Sequence, residues 1–337
     1  MVLVTGSTGL LGSHLIFELL SHNYEVKALK RIHSDIDFVK KVLSYYSKDY
    51  EALFNKIIWV EGDINDVNSL YDAMDDVDCV YHTAAIVSFN HDAYALMKRV
   101  NSEGTANVVN MCLEKDIKKL CYSSSVASLG RINADSYISE ETWWEHTHRN
   151  SAYSITKYYA EQEVWRGIAE GLNAVMVNPS IIIGPGHWNR GSSKLFETVH
   201  HGQKFYTKGV NGFVDVRDVV RIMRLLTEKD INTERFIVSS ENLSYQYVLT
   251  EIAKQLEVPP PKYNAGPLLS SIAWRLEHFK SLITRKSPLI TKETATTAQK
   301  HHSYDTKKIV NALNYTFIPV SKAIRDTALL YKKTLKA

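Results

Sequence analysis

The sequence predicts an α/β protein, a doubly wound parallel sheet joined to a smaller, mostly helical C-terminal domain. Three observations carry this. The chain opens on an apolar run that breaks into spaced glycines and restarts at helical spacing. Short apolar runs then alternate with helical patterns as far as residue 238. The 337 residues suffice for one large core and a second, smaller one.

Val2, Leu3 and Val4, ending in Thr5, read as a buried parallel strand. Gly6, Gly9 and Gly12 follow at a spacing of three, and Leu15, Ile16, Leu19 and Leu20 then recur at helical spacing. Such a turn, built from Gly6, Thr8, Gly9, Leu10, Leu11 and Gly12, aims backbone N–H groups and a helix N-terminus at one point, which suits a pyrophosphate. The spacing is not the commonest dinucleotide fingerprint, and a tight turn that binds nothing has the same glycines. The plain flanking strand and helix favour a dinucleotide.

Glu25–Leu29 reads as the second strand, Ile57–Val60 as the third, Asp78–His82 as the fourth, Lys119–Tyr122 as the fifth, Asn173–Val177 as the sixth and Arg235–Val238 as the seventh. Helical patterns fill the gaps, notably 91–115 and 151–170. The ligand should lie across the carboxyl ends of the strands. Lys30-Arg31 stands after the second strand, where an acid would bond a ribose 2′-hydroxyl. Arg31 suits a 2′-phosphate instead, so NADP(H) is preferred, with NAD(H) possible through Asp35 or Asp37. Two solvated surface charges are the bland alternative. Asp63, beside Ile64, is placed to accept from the adenine amino group. Thr83, Ala84 and Ala85 let the backbone lie close to a cofactor, and Ser123-Ser124-Ser125 ends the fifth strand where ligands sit.

Tyr153 and Lys157, at i and i+4 near the start of a helix, share a face. A phenol titrates near ~10 in water, and a neighbouring ammonium together with an oxidised nicotinamide would draw it toward the working range. The Tyr-x-x-x-Lys pattern also occurs at Tyr94/Lys98 and Tyr304/Lys308. Only Tyr153 opens the helix that follows the serine-tipped strand, so hydroxyl, phenol and ammonium are expected to meet there.

Apolar residues make up 45%, charged residues 23%, and the net charge is +3, which together with the lack of basic blocks excludes a nucleic-acid partner. Cys79, Cys112 and Cys121 are too widely spaced for a metal motif, and His200-His201 and His301-His302 lack further ligands, so no metal is expected. No apolar run is long enough to span a membrane, and the chain begins on a strand; a soluble, cytoplasmic protein is expected.

These motifs together resemble an extended short-chain dehydrogenase/reductase of the NAD-dependent epimerase/dehydratase family, with a Rossmann nucleotide domain. The resemblance is carried by Thr5–Gly12, Gly62-Asp63, Ala84-Ala85, Asn101–Thr105, Ser123–Ser125, Tyr153–Lys157 and Asn178–Gly186, and later by Phe213–Asp218. It implies Ser125 as the catalytic serine, with Ser124 the fallback, Tyr153 as acid/base, and Lys157 as the group that tunes Tyr153 and binds nicotinamide ribose. It also implies that Asn178-Pro179, with Ile181, forms the turn beside the nicotinamide and that Asn101 lies near the cofactor. Val126–Gly130 stands where 4,6-dehydratases of the family carry an Asp-Glu pair. The Asn178–Ile181 turn and Arg31 look more like the dihydroflavonol-reductase-like and 3β-hydroxysteroid-dehydrogenase-like branch. The implied chemistry is hydride transfer between a nicotinamide and a ketone, aldehyde or secondary alcohol. A sugar-nucleotide epimerase with tightly held cofactor and a non-catalytic NADP redox sensor are the alternatives.

Trp143-Trp144 would overhang the site and wall an apolar or partly aromatic substrate pocket with Val87 and Phe89, or else pack beneath their own loop. Residues 1–186 plus about 213–239 are expected to form the nucleotide domain, and about 187–212 plus 240–337 the substrate domain. The amphipathic stretch 267–290 reads either as a membrane-surface helix or, preferably, as one packed on the domain. The resemblance implies a homodimer through 91–115 and 151–171, with contacts from Leu96, Val100, Val108, Met111, Ile155, Tyr159 and Val164.

Overall fold

The computed structural model describes every residue except 89, 131–136, 148–149, 230, 267–273, 276–297 and 337. Its centre is a sheet of seven strands: β1 Val2–Thr5, β2 Val26–Lys30, β3 Ile58–Glu61, β4 Cys79–His82, β5 Lys119–Ser123, β6 Ala174–Pro179 and β7 Glu234–Val238. They lie in the order β7-β6-β5-β4-β1-β2-β3, all parallel. Each matches an apolar run expected from the sequence to within a residue or two. The chain leaves β1 toward β2 and β3, then returns to β4 on its other side and proceeds outward to β7. The crevice therefore opens at the carboxyl ends of β1 and β4.

Both faces are covered, which is why the central strands are apolar throughout. Under one face, Val2, Val4, Leu15, Leu19 and Val175 pack with Val219, Ile222 and Met223 of helix Val216–Glu228. Under the other, Leu3, Val80 and Leu120 meet Val108, Cys112 and Val164 from helices Gly104–Glu114 and Ala152–Ala169. Val108 and Val164 are thus core residues, correcting their expected place in a dimer contact, whereas Leu96 and Tyr159 are exposed.

A second sheet of three strands, in the order Glu241–Ser244, Val210–Asp215, Ile181–Ile183, was not foreseen as a sheet. With helices Lys194–His200, Tyr245–Leu256 and Val320–Lys336 it builds a separate core around Phe196, Phe213 and Ile252. The chain does not stay there. Ile309 is buried in the first core, with Ala312, Leu313 and Phe317 against it, so residues 307–317 return to the nucleotide half. The helical pattern over 91–115 forms in pieces, with a π-helical segment at Lys98–Glu103. Of the amphipathic stretch 267–290, only Trp274 and Arg275 fall among the described residues. Among the described residues, no helix is long and apolar enough to cross a membrane, and no group of three His, Cys, Asp or Glu side chains could hold a metal ion.

Candidate active site

The crevice begins at the glycine turn. Gly6 has φ +67°, in the left-handed region that glycine enters without a Cβ clash. A Cβ there would sit 2.6 Å from the Ala84 backbone, so this turn touches the end of β4 across the switch point. A Cβ on Gly12 would fall against the Gly6 carbonyl, far inside van der Waals contact. Helix Leu10–Ser21 starts after Gly9 with no side-chain cap and no acid in its first turn. Its leading N–H groups and positive end are therefore left for an anion. Ser7 Oγ donates to the Leu29 carbonyl at 2.6 Å, and Thr83 Oγ1 to the Thr5 carbonyl at 2.7 Å, tying the turn to β2 and β4. These residues fit a dinucleotide.

At the end of β2, Arg31 is exposed and makes no ion pair among the described residues, whereas Lys30 faces Glu61 at 3.6 Å. Asp35 is spent as an N-cap, accepting from Phe38 N at 3.0 Å. Asp63 Oδ1 accepts from Asn65 N and Nδ2, both at 2.9 Å, while Ile64 is buried. A cleft of about 430 Å³ opens between Asp35–Lys41 and Gly186–Asn189, with Phe38 stacked on His187. Gly186 borders Leu10, so this cleft adjoins the helix start.

Two strands from the glycine turn, β5 ends in the serines. Ser125 is half-buried, caps the short turn Val126–Ser128 by accepting from Ala127 N at 3.1 Å, and carries the hydroxyl that acts on the Tyr153 phenol. Ser124 is buried and donates to Glu161 at 2.6 Å. Ser124 is therefore structural in this arrangement, and Ser125 is the serine facing the phenol. Helix Ala152–Ala169 carries Tyr153 in its first turn, and Ser151 caps it by accepting from Ser154 N at 2.9 Å. Burial pushes Tyr153 up to about 12, with the Ser125 hydroxyl pulling the other way.

Lys157 is 1% exposed. Its Nζ donates to Tyr122 Oη at 2.6 Å and to the Ser123 carbonyl at 2.9 Å. Burial lowers it to about 7, opposed by the Glu161 carboxylate. In this geometry Lys157 is not among the groups that shift the Tyr153 phenol. Lys157 is turned to Tyr122, and the shift at Tyr153 is governed by burial.

Two residues expected near the cofactor have side chains bonded within the protein. Asn178, wholly buried, donates from Nδ2 to Glu161 at 2.9 Å, to Ser128 Oγ at 3.0 Å and to the Ser125 carbonyl at 3.1 Å. Its Nδ2 holds the serine turn, while its buried Oδ1 has no hydrogen-bond partner among the described residues. Asn101 accepts from Ile86 N at 2.7 Å and donates to Ile86 O and Thr156 Oγ1, bracing the segment after β4 against helix Ala152–Ala169. Pro179 ends β6, and Ile181 pairs with Phe213 in the second sheet. Val87 is exposed, and Phe89 lies outside the described residues. The two tryptophans diverge. Trp143 is 88% exposed, while Trp144 stacks on Tyr158 at 4.6 Å, packing on helix Ala152–Ala169. The structure does not bring them together as one wall.

Sequence reasoning missed the buried polar groups behind the site. His82, held neutral by burial that takes it to about 3, bonds Thr5 Oγ1 at 2.7 Å and Thr105 Oγ1 at 2.9 Å. It stacks on Tyr122. Glu161 stands four residues after Lys157, a spacing that puts it on the same helix face and was readable. Arg235, its partner from β7, carried no local signal.

The sequence model of the NAD-dependent epimerase/dehydratase family matches residues 2–238. A Synechocystis protein provisionally named dihydroflavonol 4-reductase is 29% identical, covering 96% of this chain and 92% of that one. Anthocyanidin reductase of Arabidopsis thaliana is also 29% identical, over 77% of this chain and 81% of that protein. The crystal structure of gox2253 superposes with a TM-score of 0.81 at 26% identity, covering 99% and 98% of the two chains. The UDP-glucose 4-epimerase of Thermotoga maritima shares the fold, with a TM-score of 0.78 at 18% identity over 99% of each chain.

Proposed function

The chain belongs to the NAD-dependent epimerase/dehydratase family, and from that membership we propose that it is an NADP(H)-preferring oxidoreductase acting on a ketone, aldehyde or secondary alcohol. The observation that carries the reading is the placement of Ser125 at the turn after β5 and of Tyr153 in the first turn of helix Ala152–Ala169, one helical turn from Lys157, with the Ser125 hydroxyl acting on the phenol. The named reductases among the relatives agree with it. The dehydratase reading loses its acid pair, because Val126–Ser128 is a short turn without a carboxylate.

When bound, the nicotinamide would supply or accept the hydride. The chain's own groups handle the proton. At neutral pH a phenol near 12 is protonated, so Tyr153 is in the state to donate to an oxygen that gains negative charge, which suits carbonyl reduction. Ser125 orients that oxygen through its hydroxyl. Lys157, with its charge partly retained near neutrality, offers a donor for the ribose and a positive field for Tyr153. Gly6, Gly9, Gly12 and the uncapped helix would hold the pyrophosphate, and Arg31 the 2′-phosphate. The active unit is proposed to be a homodimer, its substrate small and partly apolar.

The test is NADPH oxidation across a panel of ketones, aldehydes and nucleotide sugars. Carbonyl-dependent oxidation, lost in Tyr153→Phe, is expected. Epimerisation of a nucleotide sugar without net oxidation would replace the reading with that of an epimerase. Tight NADP binding with no turnover on any member would favour a redox sensor.

A further inference from the structure

A single buried carboxylate joins the two halves of the candidate site. Glu161 is 1% exposed. Its Oε2 accepts from Ser124 Oγ at 2.6 Å, Ser128 Oγ at 2.6 Å and Asn178 Nδ2 at 2.9 Å. Its Oε1 accepts from Arg235 Nη1 at 2.7 Å. Three of these four donors belong to, or hold, the turn that presents Ser125. Arg235 also donates to the Glu140 carbonyl, and Glu140 Oε1 accepts from Ile237 N at 2.8 Å, which anchors the pair to β7 and the 139–142 segment.

Removing a carboxylate from water costs several kcal/mol, and it is tolerated only with full hydrogen bonding and a counter-charge. Here both conditions are met, immediately below Lys157 on the same helix face. A neutral core of the same shape would pack the helix on the turn equally well. Only a charge acts on a second charge one turn away.

We propose that the Glu161–Arg235 pair is the positioning centre of the site, fixing the Ser125 turn against the helix and sustaining the ammonium of Lys157. The proposal rests on the reading of Lys157 as the cation serving Tyr153. The groups facing Lys157 are few. Its own helix presents Tyr153 and Glu161, β5 presents Tyr122 and the Ser123 carbonyl, and β4 presents His82, already neutral. Segment Lys98–Glu103 offers Asn101 and Ser102 to Thr156, while its Lys98 and Glu103 face each other at 3.6 Å. Helix Gly104–Glu114 offers Thr105 to His82 and Tyr122. Turn Val126–Ser128 offers only Ser128, and Arg235 reaches the cluster from β7. Among the described residues, Glu161 is the one carboxylate that acts on Lys157, and its charge raises Lys157 against the burial that lowers it.

The experiment needs neither substrate nor nucleotide. Protein carrying ¹⁵N,¹³C-labelled lysine is titrated by NMR, with the Lys157 side-chain resonance assigned by its loss in Lys157→Met. The Lys157 midpoint is expected near 7 in the parent protein. In Glu161→Gln it should fall by roughly one pH unit, because the supporting charge is gone. In Arg235→Met it should rise, because Glu161 loses its competing cation. Ser128→Ala, which removes a hydrogen bond but no charge, should leave it in place. Opposite displacements in the two charge variants are the expected result, since a merely structural pair cannot produce them. Midpoints equal to the parent's in both would overturn the proposal, and so would displacement in the same direction. Should Glu161→Gln be recovered unfolded, a rise or no rise in Arg235→Met decides. A failure of the oxidoreductase reading would appear in the NADPH panel and leave this titration unaffected.

Discussion

The glycine turn after β1 and the Ser125–Tyr153–Lys157 group work with different parts of the chain. The turn acts through its backbone: Gly6 and Gly12 matter for the Cβ atoms they lack, and the uncapped helix offers N–H groups every residue possesses. The proposed catalytic group acts through side-chain termini, whose directions are set by neighbours far away in sequence. The Ser125 hydroxyl acts on Tyr153 across 28 residues, and Lys157 is turned to Tyr122 across 35. The difference teaches that a backbone motif survives changes around it, whereas a side-chain constellation is only as good as the buried polar groups that aim it.

Four measurements press on that contrast, beginning with the largest effect. Gly12→Val drives a side chain into the Gly6 carbonyl and should abolish NADP⁺ binding, a loss of more than about 100-fold by fluorescence titration, where each tenfold corresponds to ~1.4 kcal/mol. Retained parental affinity would show that the turn does not hold the nucleotide. Tyr153→Phe leaves the backbone untouched. Turnover should drop by about 10²–10⁴-fold while NADP⁺ affinity stays within about twofold, because proton transfer is lost and the glycine turn is intact. Equal losses in both would place the phenol in the binding machinery instead.

Arg31→Ala should weaken NADP⁺ by roughly tenfold and leave NAD⁺ unchanged, since only the former carries a phosphate for the guanidinium. Equal weakening of both nucleotides would reduce Arg31 to a solvated charge. The smallest effect concerns stability. Lys157 is lowered to about 7 from an ordinary value near 10.5, so between these values the unfolded chain holds the proton that the folded chain has lost. The stability of the parent relative to Lys157→Met should therefore be poorest below about 7 and improve as pH rises from there toward 10.5. A difference in Tm that is flat over this window would refute the burial argument.

The legibility of the molecule follows the same division. All seven central strands stand where short apolar runs alternate with helical patterns, because a strand covered on both faces must be apolar along its length. Residues 307–317 gave no sign of returning to the first core, since an apolar helix face does not name its partner. Likewise Trp143-Trp144 read as a unit, yet one stacks on Tyr158 and the other is exposed, because adjacent side chains in a loop have no obligatory common face.

What the sequence determined by itself was the nucleotide-binding frame and the placing of a candidate phenol and amine on one helix face, since glycine spacing and i, i+4 spacing are local geometry. What only the tertiary structure decided was which serine is left to face the phenol, where the amine points, and which groups Asn178 bonds. Those choices depend on buried carboxylates, hydroxyls and guanidinium groups that must find partners once water is removed, and the partners lie on other strands.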